Sequence, residues 1–459
     1  MIISNIYLLG IGGIGMSALA RYYNHNGLYV AGYDRTPSKL TGELESEGIE
    51  IHYLDSEEHI PGKLLQERES SLIIYTPAVP KDSSEFNFFQ NRGYRIVKRS
   101  LALGLIASEK ITLAVAGTHG KTTTSTLLAH ILTHSGRGCT AFLGGISKNY
   151  HTNLLLDKGD LLVAEADEFD RSFLQLWPDI AVVTSSDADH LDIYNDHKTI
   201  LEAFKDFASQ VKESGSLIIK KGVNRVVSSS AKAKIYSYSY DSPCDFYASR
   251  IKIVNGGFFD FTLNYPGGSI NHCTLGIPGW INVENAVAAS AVATLIGVAP
   301  EKIKEALAAF MGVERRFDIM LNTPVCSYID DYAHHPKEIS AAISSIRNIF
   351  MGRRLTGVFQ PHLYTRTRDF ADEFAQSLSM LDELILLDIY PARELPIDGV
   401  SSSIIFDKVK LESKVLINKD KLMDELKERE IDTLITFGAG DIDRFIEPIT
   451  DYLKMRYNV

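Results

Sequence analysis

A short segment in the first third of the chain has the composition of a phosphate-binding loop. It consists of Gly117, Thr118, His119, Gly120, Lys121 and Thr122, and Thr123 follows. The end of this segment matches the pattern G-x-x-x-x-G-K-[ST], although the first glycine of that pattern would fall at Val115. Backbone N–H groups at a helix start can hold phosphates, the lysine neutralises β/γ oxygens, and the Thr122 hydroxyl can reach Mg²⁺. The segment therefore predicts a nucleotide-phosphate site.

A second glycine-rich loop lies near the N-terminus. Its glycines fit G-x-G-x-x-G between an apolar strand and a helix, and they are Gly10, Gly12, Gly13 and Gly15. Asp34 ends the next strand, 19 residues after Gly15. Taken alone, this arrangement indicates a dinucleotide-binding dehydrogenase, and a tight turn without a ligand is the structural alternative. The loop itself does not distinguish a dinucleotide from another diphosphate.

Two groups of acidic residues follow, each at the end of an apolar, strand-like run. Residues 165–168 read Glu-Ala-Asp-Glu, and residues 187–190 read Asp-Ala-Asp-His. The carboxyl ends of parallel strands face one crevice, so both groups should lie near the phosphate loop. Solvated loop acids are the alternative for either group alone. Beside a phosphate loop, carboxylates favour a Mg²⁺ site.

Amide and basic side chains stand out further along the chain. Asn282 and Asn285 open an alanine-rich, helix-like run, where they would either contact an adenine edge or cap the helix. Arg315 and Arg316 follow, either as phosphate ligands or as ordinary surface arginines. These four side chains leave both interpretations open.

The last third of the chain carries two further candidate segments, each after an apolar run. Residues 330–336 read Asp-Asp-Tyr-Ala-His-His-Pro, a combination that is unusual for a purely structural turn. Residues 360–368 end the next strand and contain Arg366 and Arg368. Such a pair of arginines could bind a carboxylate bidentately.

The elements that must position these residues repeat one theme, an apolar strand followed by a polar loop and a helix-like segment. Residues 111–116 and 325–329 read as strands, and residues 121–134 read as a helix that Gly136 would end. This alternation predicts parallel sheets covered on both faces. Residues 214–275 differ, because they read as short strands with turns and form a small β subregion. Since 459 residues exceed one ordinary core, we expect three α/β domains at residues 1–106, 107–316 and 317–459.

Composition excludes several classes of protein. The net charge of −11 argues against a nucleic-acid binder, which normally shows a basic face. No apolar stretch reaches the roughly 18 residues that a membrane span needs, and the N-terminus lacks the features of a signal peptide. The cysteines are far apart and indicate idle thiols in a reducing compartment; they are Cys139, Cys244, Cys273 and Cys326. We expect a cytoplasmic protein without stable membrane insertion.

In order and spacing, the motifs resemble those of the Mur ligases, the ATP-dependent amide-forming enzymes of bacterial peptidoglycan synthesis. The resemblance runs the length of the chain through GIGGIGMSALA, AGTHGKTTT, EADEFDRSF, DADHLD, GWINVENAVAA, RRFD, DDYAHHP and QPHLYTRTRDF. Together GTHGKTT, EADE and DDYAHHP are far more specific than any glycine loop alone.

The resemblance implies an N-terminal Rossmann-like domain for UDP, a P-loop ATPase-like central domain, and a Rossmann-like C-terminal domain that closes over the site. The first glycine loop would then hold uridine diphosphate rather than NAD, with Met16, Asp34 and Thr76 beside its glycines. ATP would lie on residues 117–123, with adenine and phosphate contacts from Asn282, Asn285 and Arg316. Mg²⁺ would be held by Thr122, Glu165 and His190.

Catalytic roles implied by the resemblance fall on Lys121, Asp331, His334 and Arg366. Arg366 would orient the carboxylate of an incoming amino acid. Some family members carry arginine where Leu363 stands, so Arg366 together with Arg368 must suffice here. Several members hold a second Mg²⁺ with a carbamylated lysine, and the sequence shows no clear equivalent, as in the alanine-adding branch.

Within the family, TRTRDF and GIGGIGMSALA favour the branch that joins L-alanine to UDP-N-acetylmuramate through an acyl phosphate. One alternative is a recycling ligase that attaches an intact tripeptide to the same sugar. A dehydrogenase using NAD would leave the phosphate loop unexplained, and a non-catalytic nucleotide-binding module would leave His334 and Arg366 without purpose. The expected enzyme is a monomer or homodimer that uses ATP and Mg²⁺.

Overall fold

The structure is a computed structural model that describes residues 3–80, 82–187, 194, 196–254, 257–392 and 394–459. The chain divides into two compact units. The first comprises Met1–Arg250, Phe261–Cys273 and Glu284–Met311. The second comprises Ile251–Asp260, Thr274–Val283 and Gly312–Val459. Three sheets with flanking helices confirm the predicted α/β class, whereas the domain boundaries stay predictions.

The first sheet has five parallel strands in the order β3-β2-β1-β4-β5. The strands are β1 Asn5–Leu9, β2 Tyr29–Tyr33, β3 Glu50–His52, β4 Ser71–Tyr75 and β5 Arg95–Lys98. The helices are α1 Ile14–His25, α2 Lys39–Ser46, α3 Gly62–Gln66, α4 Ser84–Asn91 and α5 Arg99–Ala107, with 3₁₀ turns at Glu57–His59 and Arg68–Ser70. Every residue of β1 is buried, as a strand covered on both faces requires.

The central sheet has ten strands in the order β15-β14-β13-β12-β11-β10-β6-β9-β7-β8. The strands are β6 Ile111–Ala116, β7 Thr140–Ser147, β8 Thr152–Leu155, β9 Leu161–Ala166, β10 Ile180–Val183, β11 Ser216–Lys220, β12 Lys234–Ser239, β13 Phe246–Val254, β14 Phe258–Tyr265 and β15 Gly268–Leu275. From β7 to β13 the sheet is parallel, and β8 joins β7 in antiparallel orientation. The predicted β subregion corresponds to the later strands.

The helices that follow in the chain are α6 Lys121–His134, α7 His197–Ser209, α8 Trp280–Leu295 and α9 Pro300–Ala309, with a 3₁₀ segment at Phe169–Gln175. Helix α6 spans the predicted residues 121–134. Gly120 is its N-cap, and Gly136, with a φ of +79°, follows its C-terminus. Helix α8 begins two residues earlier than the predicted start at Asn282.

The first sheet and part of the central sheet share one hydrophobic core within the first compact unit. Apolar side chains from β1, such as Ile6 and Leu8, belong to the same buried cluster as Ala114 of β6 and Leu162 of β9. The fully buried Asn153 of β8 donates to the backbone oxygen of Ile14 at 2.6 Å and to Ser17 Oγ at 2.9 Å. Helix α1 is therefore attached to both sheets.

The third sheet has six strands in the order β16-β17-β21-β18-β19-β20, all parallel except β16. The strands are β16 Asp318–Asn322, β17 Ser327–Asp331, β18 Leu355–Phe359, β19 Glu383–Leu387, β20 Ser413–Ile417 and β21 Thr433–Phe437. The sequence placed Asp330 and Asp331 after a strand at residues 325–329, but both aspartates belong to β17.

The helices around the third sheet are α10 Pro336–Ile349, α11 Tyr364–Asp369, α12 Ala371–Leu378, α13 Ser403–Phe406, α14 Leu422–Lys427 and α15 Ile446–Tyr457, with 3₁₀ turns at Lys419–Lys421 and Asp441–Phe445. Two buried clusters form its core, one containing Ile329 and Phe359 and the other Tyr328 and Val358. Among the helices of the described residues, none is long and apolar enough to cross a membrane.

Candidate active site

The first glycine loop joins β1 to α1 and brings together several predicted substrate-binding residues. Gly10 has a φ of +82°, and a Cβ added there would lie 2.6 Å from Thr76 Cγ2. The Gly12 N–H donates to Asp34 Oδ2 at 2.8 Å. The structure thus places Asp34 and Thr76 directly against the loop. Met16 is buried on α1, so its side chain belongs to the core.

A residue that the sequence did not single out lies beside this loop. Arg99 begins α5, and its Nη1 atom is 2.5 Å from the position that a Cβ on Gly15 would occupy. The other end of the guanidinium, Nη2, is 3.5 Å from Asp167 Oδ2. Its position in the sequence could have indicated a binding residue, because Arg99 directly follows the carboxyl end of a strand in a parallel sheet.

The phosphate loop joins β6 to α6 in a conformation that requires glycine at two positions. Gly117 has a φ of +132°, and a Cβ there would lie 2.1 Å from Thr184 Oγ1. Gly120 has a φ of +79° and is the N-cap of the helix. Ser185, which follows β10, accepts the His119 N–H at 2.8 Å, and its hydroxyl lies 2.9 Å from Thr118 Oγ1. The loop is therefore shaped by its own glycines and by the end of the neighbouring strand.

Lys121 lies at the centre of this loop and is held by backbone and carboxylate oxygens. Its Nζ donates to the Gly117 backbone oxygen at 2.8 Å and to the two carboxylate oxygens of Glu168 at 2.9 and 2.8 Å. Burial disfavours its charged form, but Glu168, Asp167 and Glu165 outweigh that effect and raise the pKa of Lys121. Lys121 is therefore a fixed cation where phosphates are expected.

Two of the three predicted metal ligands lie in the described residues. Thr122 is buried in the first turn of α6. Glu165 belongs to β9 and is paired in register with Val115 of β6, just before the loop. Within the described part of the chain, the buried Oε2 atom of Glu165 has no hydrogen-bond partner. His190 lies outside the described residues, and those residues contain no group of three or more His, Cys, Asp or Glu suited to a metal ion.

The two asparagines predicted to contact adenine occupy the first turns of α8. Asn285 Oδ1 accepts from Thr124 Oγ1 at 3.1 Å, and a Cβ on Gly120 would lie 2.8 Å from the same oxygen. Asn285 therefore contacts the phosphate-loop helix. The side-chain amide of Asn282 donates to the Pro278 backbone oxygen at 2.6 Å, which is a helix-start contact within the second unit.

Asp331 and His334 lie at the carboxyl end of β17 in the second compact unit. Burial raises the pKa of Asp331 to about 7, although Arg316 and the Ala333 N–H oppose that effect. His334 Nδ1 lies 2.9 Å from the Tyr332 backbone oxygen, so Nδ1 carries the hydrogen in this contact. The His334 N–H donates to Glu338 Oε2 at 3.1 Å.

Arg315 and Arg316 both contact the ring of Tyr332. Their guanidinium carbons lie 5.2 and 4.7 Å from the ring centroid, a geometry typical of cation–π contacts. Arg315 also donates through Nε to the buried Asp330 at 3.1 Å and through Nη2 to the Gly438 backbone oxygen at 2.7 Å. Arg315 is thus built into the third sheet, whereas the proposed phosphate role of Arg316 stays a prediction.

Arg366 and Arg368, which the sequence interpretation combined in one carboxylate site, differ in their exposure. Both belong to α11, where residues two apart do not face each other. Arg366 is buried, whereas the Arg368 side chain is 52% exposed and donates to its neighbour Asp369 at 2.7 Å. The joint carboxylate site of the two arginines stays a prediction, in which Arg366 is the buried member and Arg368 the exposed one.

Comparison with known proteins covers nearly the whole chain. The family model described as "Mur ligase family, catalytic domain" matches residues 5–111, "Mur ligase middle domain" matches residues 115–293, and "Mur ligase, glutamate ligase domain" matches residues 315–440. The UDP-N-acetylmuramate–L-alanine ligase of Porphyromonas gingivalis is 52% identical, and the alignment covers 98% of this chain and 99% of that protein.

Solved structures are similar to this chain over nearly its whole length. The crystal structure of UDP-N-acetylmuramate-alanine ligase from Thermotoga maritima has a TM-score of 0.80 at 26% identity, covering 98% of this chain and 99% of the other. A murein peptide ligase from Psychrobacter arcticus has a TM-score of 0.71 at 23% identity and 98% coverage of both chains, a likeness of fold. With three matched family models and a full-length relative of this identity, the chain belongs to the Mur ligase family.

Proposed function

We propose that this protein is a ligase that uses ATP to join the amine of L-alanine to the lactyl carboxylate of UDP-N-acetylmuramate. The observation that carries this proposal is the phosphate loop centred on Lys121, in a chain that is 52% identical over nearly its full length to a protein named for that reaction. The reaction supplies a precursor for peptidoglycan in the cytoplasm, where nucleotide sugars and ATP are found.

The two glycine loops divide the substrates between them. The loop from Gly10 to Gly15 holds the diphosphate of the nucleotide sugar, because the start of α1 favours anions. Asp34 and Thr76 flank that loop on either side. The loop from Gly117 to Thr123 holds the phosphates of ATP, where Lys121 is the nearest cation.

The residues near Lys121 also fit a magnesium ion. The buried Oε2 atom of Glu165, which has no hydrogen-bond partner in the described residues, is an oxygen of the kind that Mg²⁺ prefers. The Thr122 hydroxyl and His190 would complete the protein ligands. When bound, Mg²⁺ supplies positive charge that neutralises phosphate oxygens.

The chemistry requires the sugar carboxylate to acquire a leaving group. A carboxylate oxygen forms a bond to the γ-phosphorus of ATP, the bond to the β–γ bridging oxygen breaks, and ADP leaves. The alanine nitrogen then bonds to the acyl carbon, a proton leaves the nitrogen, and inorganic phosphate departs. Lys121 lowers the barrier of the first step by neutralising charge where two anions meet, with no reorganisation of water.

The second step uses residues of the third sheet. Arg366, a buried cation, orients the carboxylate of alanine. Asp331 has a pKa of about 7, in the range that suits proton transfer near neutral pH. His334 carries hydrogen on Nδ1, which leaves Nε2 of the neutral ring as an acceptor. Together these two groups position the amine, and one of them receives its proton.

One assay separates the alternatives. The purified protein is mixed with UDP-N-acetylmuramate, ATP and Mg²⁺, and L-alanine, glycine, L-serine or the tripeptide is added separately while phosphate release is measured. We expect the fastest release with L-alanine. Release with the tripeptide alone would assign the protein to the recycling reaction, and the absence of release with every amine would contradict a ligase. A parallel reaction without the UDP-sugar measures background ATP hydrolysis.

The assembly of this ligase is a separate part of the proposal. We expect a monomer or homodimer that needs no nucleic acid or membrane, since both substrate loops lie in one compact unit of a single chain. Light scattering after size-exclusion chromatography measures the mass directly. A mass above that of a dimer, or activity only with added membranes, would contradict this part.

A further inference from the structure

Two basic residues lie where the last strand of the first sheet becomes a helix. Lys98 ends β5 and Arg99 begins α5. Strand β5 is parallel to β4, which is parallel to β1, so this junction lies at the same edge of the sheet as the first glycine loop. Both side chains therefore project from the edge at which the nucleotide sugar is proposed to bind.

The Arg99 side chain extends from the first loop to the acidic segment beside the phosphate loop. Its Nη1 atom is 2.5 Å and its Cδ atom 3.3 Å from the position of a Cβ on Gly15. Its Nη2 atom is 3.5 Å from Asp167. Asp167 in turn immediately precedes Glu168, the partner of Lys121. Arg99 thus lies between the two anion-binding loops.

The ion pair of Arg99 is longer than that of the adjacent lysine. Lys98 Nζ lies 2.8 Å from Asp170, whereas the Arg99–Asp167 pair is 3.5 Å long. In the described part of the chain, Asp167 is the only hydrogen-bond partner of the Arg99 guanidinium, which carries five N–H donors. A purely structural arginine would be expected to use more of those donors.

We propose that Arg99 binds an anionic oxygen of the nucleotide sugar and that Asp167 is its partner when no substrate is bound. This inference rests on the proposed function and adds a substrate-binding residue to it. The shared chemistry is an oxyanion, either of the diphosphate or of the lactyl carboxylate. The position of Nη1 over Gly15, at the start of α1, favours the diphosphate.

The test compares Arg99→Met and Arg99→Lys with the matched control Lys98→Met, which removes the neighbouring cation and its ion pair with Asp170. Titration calorimetry measures the dissociation constants of UDP, UDP-N-acetylmuramate and ATP for each variant. We expect Arg99→Met to weaken UDP and UDP-N-acetylmuramate by about ten- to a hundredfold, as for a lost charged hydrogen bond, while ATP is unaffected. The affinity of Arg99→Lys for UDP should lie between those of wild type and Arg99→Met, because lysine keeps the charge but lacks the paired N–H donors of a guanidinium.

Each outcome bears on the inference. Weakening of UDP-N-acetylmuramate without weakening of UDP would support contact with the carboxylate, and weakening of both would support the diphosphate. Equal affinities of Arg99→Met and Lys98→Met for both ligands would overturn the inference, as would equal losses for UDP and ATP. A wild-type protein that binds no UDP-sugar would overturn the proposed function itself. Circular dichroism and thermal unfolding confirm that each variant is folded.

Discussion

The two glycine loops share a backbone design and differ in the source of their charges. In both, a buried strand of a parallel sheet leads through a glycine-containing loop into the start of a helix, with a positive φ at Gly10 in the first loop and at Gly117 and Gly120 in the second. In the first loop the nearby cation is Arg99, from another strand end, and Asp34 accepts the Gly12 N–H. In the second loop the cation is Lys121, within the helix itself. Loops of similar backbone shape thus obtain their positive charge from different places, a neighbouring strand end in the first and the loop's own helix in the second.

The strands that support the two loops also differ. Tyr7 of β1 is buried and donates to the buried Glu85 at 2.5 Å, and its oxygen lies 2.7 Å from His52 Nε2. The residues of β6 from Leu113 to Ala116 are apolar and buried. The first loop therefore follows a strand that contacts titratable side chains, whereas the second follows an apolar strand.

The largest effect should follow from removal of the cation of the second loop. Lys121→Ala should lower kcat by about a thousandfold or more, because no other group replaces its charge at the transferred phosphate. Binding of UDP-N-acetylmuramate should be unchanged, since that ligand uses the first loop. Phosphate release and titration calorimetry measure the two quantities.

Lys110→Ala is the control, since Lys110 is half-buried and donates only to the Gly159 backbone oxygen among the described residues. It should retain activity. If Lys121→Ala lost sugar binding as severely as turnover, the division of substrates between the two loops would be wrong.

A smaller effect is expected from crowding the second loop. Gly120→Ala places a Cβ 2.8 Å from Asn285 Oδ1 at a φ of +79°. Gly136 has the same φ and no atom within 4 Å, so Gly136→Ala carries the backbone strain alone. We expect Gly120→Ala to raise the KM for ATP by about a hundredfold, and Gly136→Ala to cost only about 1–2 kcal/mol of stability. If both variants raised the KM for ATP equally, backbone strain and not crowding against Asn285 would be the cause of the rise.

A change at the first loop should affect the other substrate. Gly15→Ala adds a Cβ 2.5 Å from Arg99 Nη1, with no positive φ at that position, so it displaces the guanidinium without backbone strain. The KM for UDP-N-acetylmuramate should rise by about tenfold while the KM for ATP stays constant. Gly42→Ala is the control, because Gly42 lies on helix α2 and a Cβ added there has no atom within 4 Å. It should leave both KM values unchanged. A rise in both KM values would indicate general damage instead.

The smallest effect concerns the support of the first loop. Burial is the main reason that the pKa of Glu85 is raised to about 7, and Asp55 adds to it, although hydrogen bonds from Tyr7 and Ser56 oppose the rise. Because the folded pKa lies above the unfolded value, the stabilisation is complete below about pH 4.5 and is lost as the pH rises through about 7. The pKa of the adjacent His52 is lowered, chiefly by burial.

Glu85→Gln removes this titration. The unfolding free energy of wild type minus that of the variant should fall by on the order of 1 kcal/mol between pH 5 and pH 8. Urea unfolding of both proteins at several pH values measures the difference. A difference that does not change with pH would show that Glu85 has an ordinary pKa in the folded protein.

The local parts of both loops could be predicted from sequence. Periodicity and glycine placement predicted residues 111–116 as a strand and residues 121–134 as a helix, and both match the structure. Contacts between distant segments could not be predicted in this way. Arg99 reaches Gly15 across 84 residues, and Glu168, one acid of the group at residues 165–168, contacts Lys121. Such pairings depend on packing, which no local pattern encodes.

The arginines of the third sheet show a second kind of information that local sequence patterns lack. Arg366 and Arg368 were interpreted as one site because they are close in sequence, but a helix begins at Tyr364 and turns them to different faces. The helix is only six residues long and follows Leu363, whose φ is +70°, so hydrophobic periodicity gave no signal. The same shortness explains why the buried Arg366 and the exposed Arg368 could not be separated in advance.

The attachment of helix α1 to the central sheet through Asn153 has a consequence for substrate choice. Because the first and second loops belong to one compact unit with a shared core, the separation between them is a property of the fold. Under the proposed division of substrates, the nucleotide sugar needs the correct length for its carboxylate to reach the second loop while its diphosphate stays on the first. We therefore predict that an analogue shortened by one phosphate binds at the first loop and remains unphosphorylated, which would make length as well as charge a criterion of selection.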